Sequence, residues 1–135
     1  IRPAVGFRID HAGRSVLLSG DTRPHPNVLA HGAGVDLLVH EVCALPAALA
    51  GQRIPQAIAD HHTSPAQAGA IFAATRPKLA AFTHIVQIAA PGVAPVPLEA
   101  MEAETRGAYG GPLVFGEDLM RFTVTADSVA VDRAR

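Results

Sequence analysis

The chain has 135 residues, 49% of them hydrophobic and 17% charged, which suits one domain with a sizeable core and excludes intrinsic disorder. Its formal net charge of -1, with Lys78 as the only lysine and the arginines scattered, excludes a general electrostatic attraction to nucleic acid or anionic lipid. No apolar run approaches the ~18–20 residues that a membrane span requires.

Ala4–Asp10 alternates Val5, Phe7 and Ile9 with Gly6, Arg8 and Asp10, the period-2 pattern of a half-buried strand. Ala12-Gly13 within His11–Arg14 marks a hairpin turn, and Ser15–Ser19 follows as a short strand that stops at Gly20-Asp21-Thr22. Pro24–Ala33 fits a short helix with proline in its first turn. Val35–Val39 is a buried strand ending at His40-Glu41, and the Ala-rich Pro46–Gly51 stretch has weak helical character. Ser64-Pro65-Ala66-Gln67 is the strongest local signal: a serine N-cap, proline at the first helical position and glutamine completing a capping box. That helix is predicted to run to Thr75, before Pro77. Leu79–Thr83 is a strand ending at His84; Ile88–Pro97 is a connector; Leu98–Ala108 is a helix stopped by Gly110-Gly111. Leu113–Phe115, Leu119–Thr125 and Ser128–Asp132 close the chain as strands. The alternation of strands and helices predicts an α/β fold.

Three of these apolar strands end in a metal-competent side chain: Asp21, His40-Glu41 and His84. In open α/β sheets, groups just past the carboxyl ends of neighbouring strands converge on one crevice. His62, just before the capped helix, is a fourth candidate. Carboxylate oxygen and imidazole nitrogen suit zinc, manganese or iron. Each residue alone also has a plain reading: Asp21 closing a turn, His40-Glu41 a surface pair, His62 packing at a helix start, His84 a core histidine. Their shared position at successive strand ends favours a site. His11, His25 and His31 read as solvated, and His61 as surface or supporting. Cys43 cannot form an internal disulfide, which fits a reducing compartment, and a lone cysteine is more often buried bulk. No signal peptide is visible, and a cytoplasmic location is expected.

Ser19-Gly20-Asp21-Thr22, His40-Glu41-Val42, His62-Thr63-Ser64-Pro65-Ala66-Gln67-Ala68-Gly69 and Phe82-Thr83-His84 resemble the later motifs of the metallo-β-lactamase superfamily. The branch they are most similar to holds the ribonuclease Z endonucleases and arylsulfatase-like phosphodiesterases. Gly116-Glu117-Asp118-Leu119-Met120 also resembles that family's last hairpin. The resemblance implies a mixed sheet flanked by helices, the C-terminal half of the family's αββα sandwich. It implies two divalent metals, zinc or else manganese or iron, with Asp21 and His84 as ligands, and Glu41, His40 and His62 as catalytic groups. His62 would assist cleavage, oriented by Glu41 through His40. The family's His-x-His-x-Asp-His signature is absent, since no His-x-His occurs in the chain. Residues 1–135 are therefore expected to be one domain portion that lacks the N-terminal half, opens on Ile1 as the interior of a longer protein, and binds metal poorly alone.

The implied activity is metal-assisted hydrolysis of a phosphodiester or sulfate ester in the full-length protein, on a small-molecule substrate, with nucleic acid possible but less favoured. The alternative is a metal-free, non-catalytic domain that self-associates as a homodimer through a sheet face left open by the missing half.

Overall fold

A computed structural model describes residues 3–133. Five strands form one mixed sheet in the order β1-β2-β3-β4-β5: β1 (Phe7–His11), β2 (Arg14–Leu18), β3 (Leu37–Ala44), β4 (Leu79–Gln87) and β5 (Leu113–Phe115). β1 is antiparallel to β2, while β2, β3, β4 and β5 run parallel. Ala12 and Gly13 both take positive φ, the backbone that a two-residue hairpin turn demands. The four α-helices are α1 (Pro26–Gly32), α2 (Arg53–Ala59), α3 (Pro65–Thr75) and α4 (Leu98–Arg106). A separate hairpin, β6 (Arg121–Val124) with β7 (Val129–Asp132), ends the described chain. The α/β class and the mixed, helix-flanked sheet stand as expected.

α3 forms where its cap dictates. The Ser64 hydroxyl accepts from the Gln67 N–H at 3.3 Å and the Gln67 side chain accepts from the Ser64 N–H at 2.9 Å, completing the capping box. Gly69 lets α3 approach α4: a Cβ there would stand 2.4 Å from the Thr105 carbonyl oxygen. The main core lies between these helices and the sheet, where Phe72 and Phe82 are fully buried with Leu38, Val42, Ile71 and Met101. Truncating Phe72 there costs about 3–5 kcal/mol.

The opposite face is covered differently. β6–β7 lays Phe122, Val124, Val129 and Val131 over Leu37, Leu79 and Ala81, so the middle of that face is closed. Its β1 end is open. Val5, Phe7 and Ile9 are 59%, 60% and 53% exposed, and all of β1 is solvent-facing, correcting the expected half-buried strand. The alternation was present, but the described chain supplies no layer to cover it.

Other differences are local. β3 and β4 run past His40-Glu41 and His84, to Ala44 and Gln87. Pro46–Gly51 gives only a single 3-10 turn, Ala47–Leu49, and the helix in this region is α2. It carries no buried residue and no side-chain cap, so neither periodicity nor capping announces it.

Candidate functional site

The site forms where β2 leaves the sheet. β2 ends at Leu18, and the Ser19 N–H donates to the Val39 carbonyl at 2.9 Å as the last ladder-like bond. Gly20 then turns the chain with φ +62°, where a Cβ would meet the Val5 carbonyl oxygen at 2.3 Å. Only glycine suits both conditions. That turn delivers Asp21.

His84 arrives by a bulge. Glu41 pairs with Thr83 and Val42 with Ile85, leaving His84 as the extra residue of β4, with φ +43°. A bulge re-aims a side chain out of the alternation of its strand, and positive φ on a non-glycine residue is held only by its surroundings. The result places His84 Nε2 3.5 Å from Asp21 Oδ2, with the two side chains 49% and 63% exposed.

Glu41 lies between these features and is wholly buried. Its Oε1 accepts from the Thr63 N–H at 2.8 Å, and its Oε2 meets His62 Nδ1 at 3.0 Å. Burial pushes the Glu41 carboxyl pKa above its ordinary value, opposed by the Thr63 N–H, by His62 and by the Thr22 backbone. The contact with His62 directs that imidazole, whose ring stands 5.6 Å, centroid to centroid, from the His84 ring. Asp21, Glu41, His62 and His84 are thus gathered at one corner.

His40 is not among them. Adjacent strand residues point to opposite faces, and the His40 ring packs edge-on against Phe72, 6.1 Å away, on the helical side. Its Nδ1 lies 2.7 Å from the Glu41 carbonyl oxygen, which identifies Nδ1–H as the donor. Its buried Nε2 has no protein partner, and burial lowers its pKa. The expected relay from Glu41 through His40 is replaced by direct contact of Glu41 with His62. Ser19 and Thr63, which the motifs contained without a role, supply contacts to Glu41: Ser19 Oγ accepts from the Glu41 N–H at 3.1 Å.

Cys43 is buried, with its thiol pushed up to about 11 by burial and then by the Glu41 charge, so it is no nucleophile at neutral pH. His25 accepts from the Asn27 N–H at the start of α1, and His61 contacts the Ala57 carbonyl at the end of α2. His62 also borders a cleft of 390 Å³ lined by Arg23, Cys43, Gln56, Asp60 and Gln67.

Among the described residues, no three metal-competent side chains come close enough together to hold an ion. The carboxylate of Asp21 and the imidazole of His84 are the right donor types for zinc, manganese or iron, but they are two where a zinc site wants four. The chain therefore fits part of a metal centre. Among the described residues, no helix is long and apolar enough to cross a membrane.

Comparison with known proteins gives the family and the fold. The model of a beta-lactamase superfamily domain matches residues 2–85. A ribonuclease Z of Mycobacterium avium is 35% identical over 130 residues, covering 95% of this chain and 45% of the relative. A ribonuclease Z of Mycolicibacterium gilvum is 39% identical over 94 residues, covering 68% of this chain and 32% of the relative. Among solved structures, the metallo-beta-lactamase fold protein YhfI from Bacillus subtilis superposes with a TM-score of 0.62 at 17% identity, covering 83% of this chain and 41% of that one. Human tRNase Z, short form, gives 0.54 at 21% identity, covering 85% and 36%. The chain spans less than half the length of these relatives.

Proposed function

The chain belongs to the beta-lactamase superfamily, and on that premise we propose that it is the C-terminal portion of a metal-dependent phosphodiesterase acting on RNA. The observation that carries the reading is the buried Glu41–His62 pair, set within ring distance of His84 and beside Asp21. The ribonuclease Z relatives favour RNA over a sulfate ester or a small phosphodiester, which reverses the lean that net charge alone suggested. The cleft beside His62, with Arg23 on its wall, offers room for a nucleotide next to the cleaved bond.

Asp21 and His84 would hold divalent metal, zinc first and manganese or iron as alternatives, with the remaining ligands coming from upstream of Ile1. When bound, the metal supplies Lewis acidity toward a phosphoryl oxygen and toward the attacking water. The chain's own residues do the rest. The Glu41 carboxylate, held by the Thr63 N–H, fixes the tautomer and direction of His62 through Nδ1 and offsets charge that develops on the ring. Nε2–H of the imidazolium form is then the group that donates its proton to the leaving oxygen, leaving the neutral Nδ1–H ring held by Glu41. Burial of Glu41 keeps water from competing for its carboxylate. His40 acts at one remove, on the Glu41 backbone.

The test is cleavage of an RNA oligonucleotide by the full-length protein, beside a sulfate ester and a nitrophenyl phosphodiester. Asp21→Ala and His62→Ala should each abolish RNA cleavage. Wild-type rates from Asp21→Ala, or turnover of the sulfate ester alone, would remove the proposal.

The exposed Val5, Phe7 and Ile9 support a second reading for the chain by itself. Without the upstream half over that face, residues 1–135 self-associate through it as a homodimer, metal-free and inactive. Sedimentation of the purified chain distinguishes this from a monomer.

A further inference from the structure

We propose that Thr63 is a positioning residue, whose buried hydroxyl ties the loop carrying Asp21 to the segment carrying His62 and so sets one half of the site against the other. This rests on the hydrolytic reading of the same site. Thr63 is fully buried, and each of its polar groups makes a contact to a different part of the site. Its N–H donates to Glu41 Oε1 at 2.8 Å. Its carbonyl accepts from the Cys43 N–H at 2.8 Å, past the point where β4 bulges against β3. Its hydroxyl donates to the Thr22 carbonyl at 2.7 Å, immediately after Asp21.

Buried threonines elsewhere in the chain behave differently. Thr75 and Thr105 each donate to a carbonyl one turn back in their own helix, Ile71 at 2.8 Å and Met101 at 2.9 Å, the local habit of this side chain, and Thr105 adds a 3.2 Å contact to the Pro65 carbonyl of the neighbouring helix. Thr63 instead reaches across the chain to a loop with no regular structure. The Asp21 side chain is mostly in solvent, and among the described residues its one polar contact is the 3.5 Å approach to His84. Its position is therefore inherited from the backbone, which Gly20 turns and Thr63 holds. Partners of this kind, one bond removed from a ligand, orient the ligand and tune the site.

The experiment uses the full-length protein with two substitutions. Thr63→Val keeps the shape and the backbone contacts while deleting the hydroxyl; Thr63→Ser keeps the hydroxyl. Three quantities are read: zinc affinity, kcat and KM for RNA, and the backbone order parameters of Asp21 and Thr22 in the metal-free protein. Thr63→Val should lower zinc affinity and kcat by about 10–100-fold with KM little changed, and should lower the order parameters. Thr63→Ser should restore all three. Wild-type affinity and order parameters in Thr63→Val would overturn the proposal. So would equal impairment by Thr63→Ser, which would make the residue a packing group only. If the wild-type protein cleaves no RNA while Thr63→Val still loosens the loop and weakens zinc, the positioning role stands and the hydrolytic reading fails.

Discussion

The two pairs at this corner are built to different standards. Glu41 and His62 meet at 3.0 Å with side chains 0% and 15% exposed, and the Thr63 N–H holds the carboxylate from the other side. Asp21 and His84 approach only to 3.5 Å and stand largely in solvent. The first pair is held within this chain, because β3 and the Thr63 segment fix the carboxylate. The second consists of two metal-competent groups, delivered by a glycine turn and a bulge, which on the proposed reading need further ligands. On that reading, preorganisation is complete on the acid–base side and half complete on the metal side.

The largest effect should come from Glu41→Gln, which keeps the side chain's size and its acceptor for the Thr63 N–H. RNA cleavage by the full-length protein is expected to fall about 10²–10⁴-fold. Stability should move the other way. Burial raises the Glu41 carboxyl pKa in the folded state, so its stability contribution is full below the unfolded value and is lost as pH rises through the folded one. The neutral amide escapes that loss. A denaturant melt at pH 7 checks it, and a less stable glutamine variant would mean that ionic contacts outweigh burial.

Gly20→Ala should damage the open pair instead. The left-handed backbone and the Val5 carbonyl oppose a Cβ, at a cost of about 1–3 kcal/mol. Asp21 should shift and the full-length protein's zinc affinity fall, while the Glu41–His62 contact, seen in the imidazole nitrogen shifts, stays unchanged. Loss of both pairs together would show that they are not independently built.

The smallest effect concerns His40. Its folded-state pKa is lowered by burial, so the unfolded chain takes up the proton first and stability declines as pH falls below about 6.5, with a slope of up to about 1.4 kcal/mol per pH unit. His40→Leu should flatten that slope in pH-dependent melts, whatever its absolute stability.

Much of the scaffold was legible because its causes are local. Ser64 to Gln67 specify a helix start by hydrogen bonds within four residues, and α3 begins and ends where they predict. The apolar runs of β2 to β5 announced strands for the same reason. The strand ends were not legible: polarity at His40-Glu41 and His84 looked like termination, whereas buried pairing and a bulge carry both strands onward. Nothing in Phe82-Thr83-His84 signals positive φ. Period-2 alternation along β3 keeps His40 and Glu41 from facing the same site, a constraint that the sequence does carry. The roles of Ser19 and Thr63 depend on contacts between segments far apart in sequence, which no local pattern reveals.

On the proposed reading, residues 1–135 hold a finished acid–base pair and an unfinished metal centre. The most direct test is metal content of the purified 135-residue chain by mass spectrometry, prepared without chelator and then challenged with zinc. Substoichiometric metal and weak zinc uptake are the predicted result. Two tightly held metals per chain would contradict it, because they would require ligands that Asp21 and His84 alone do not provide.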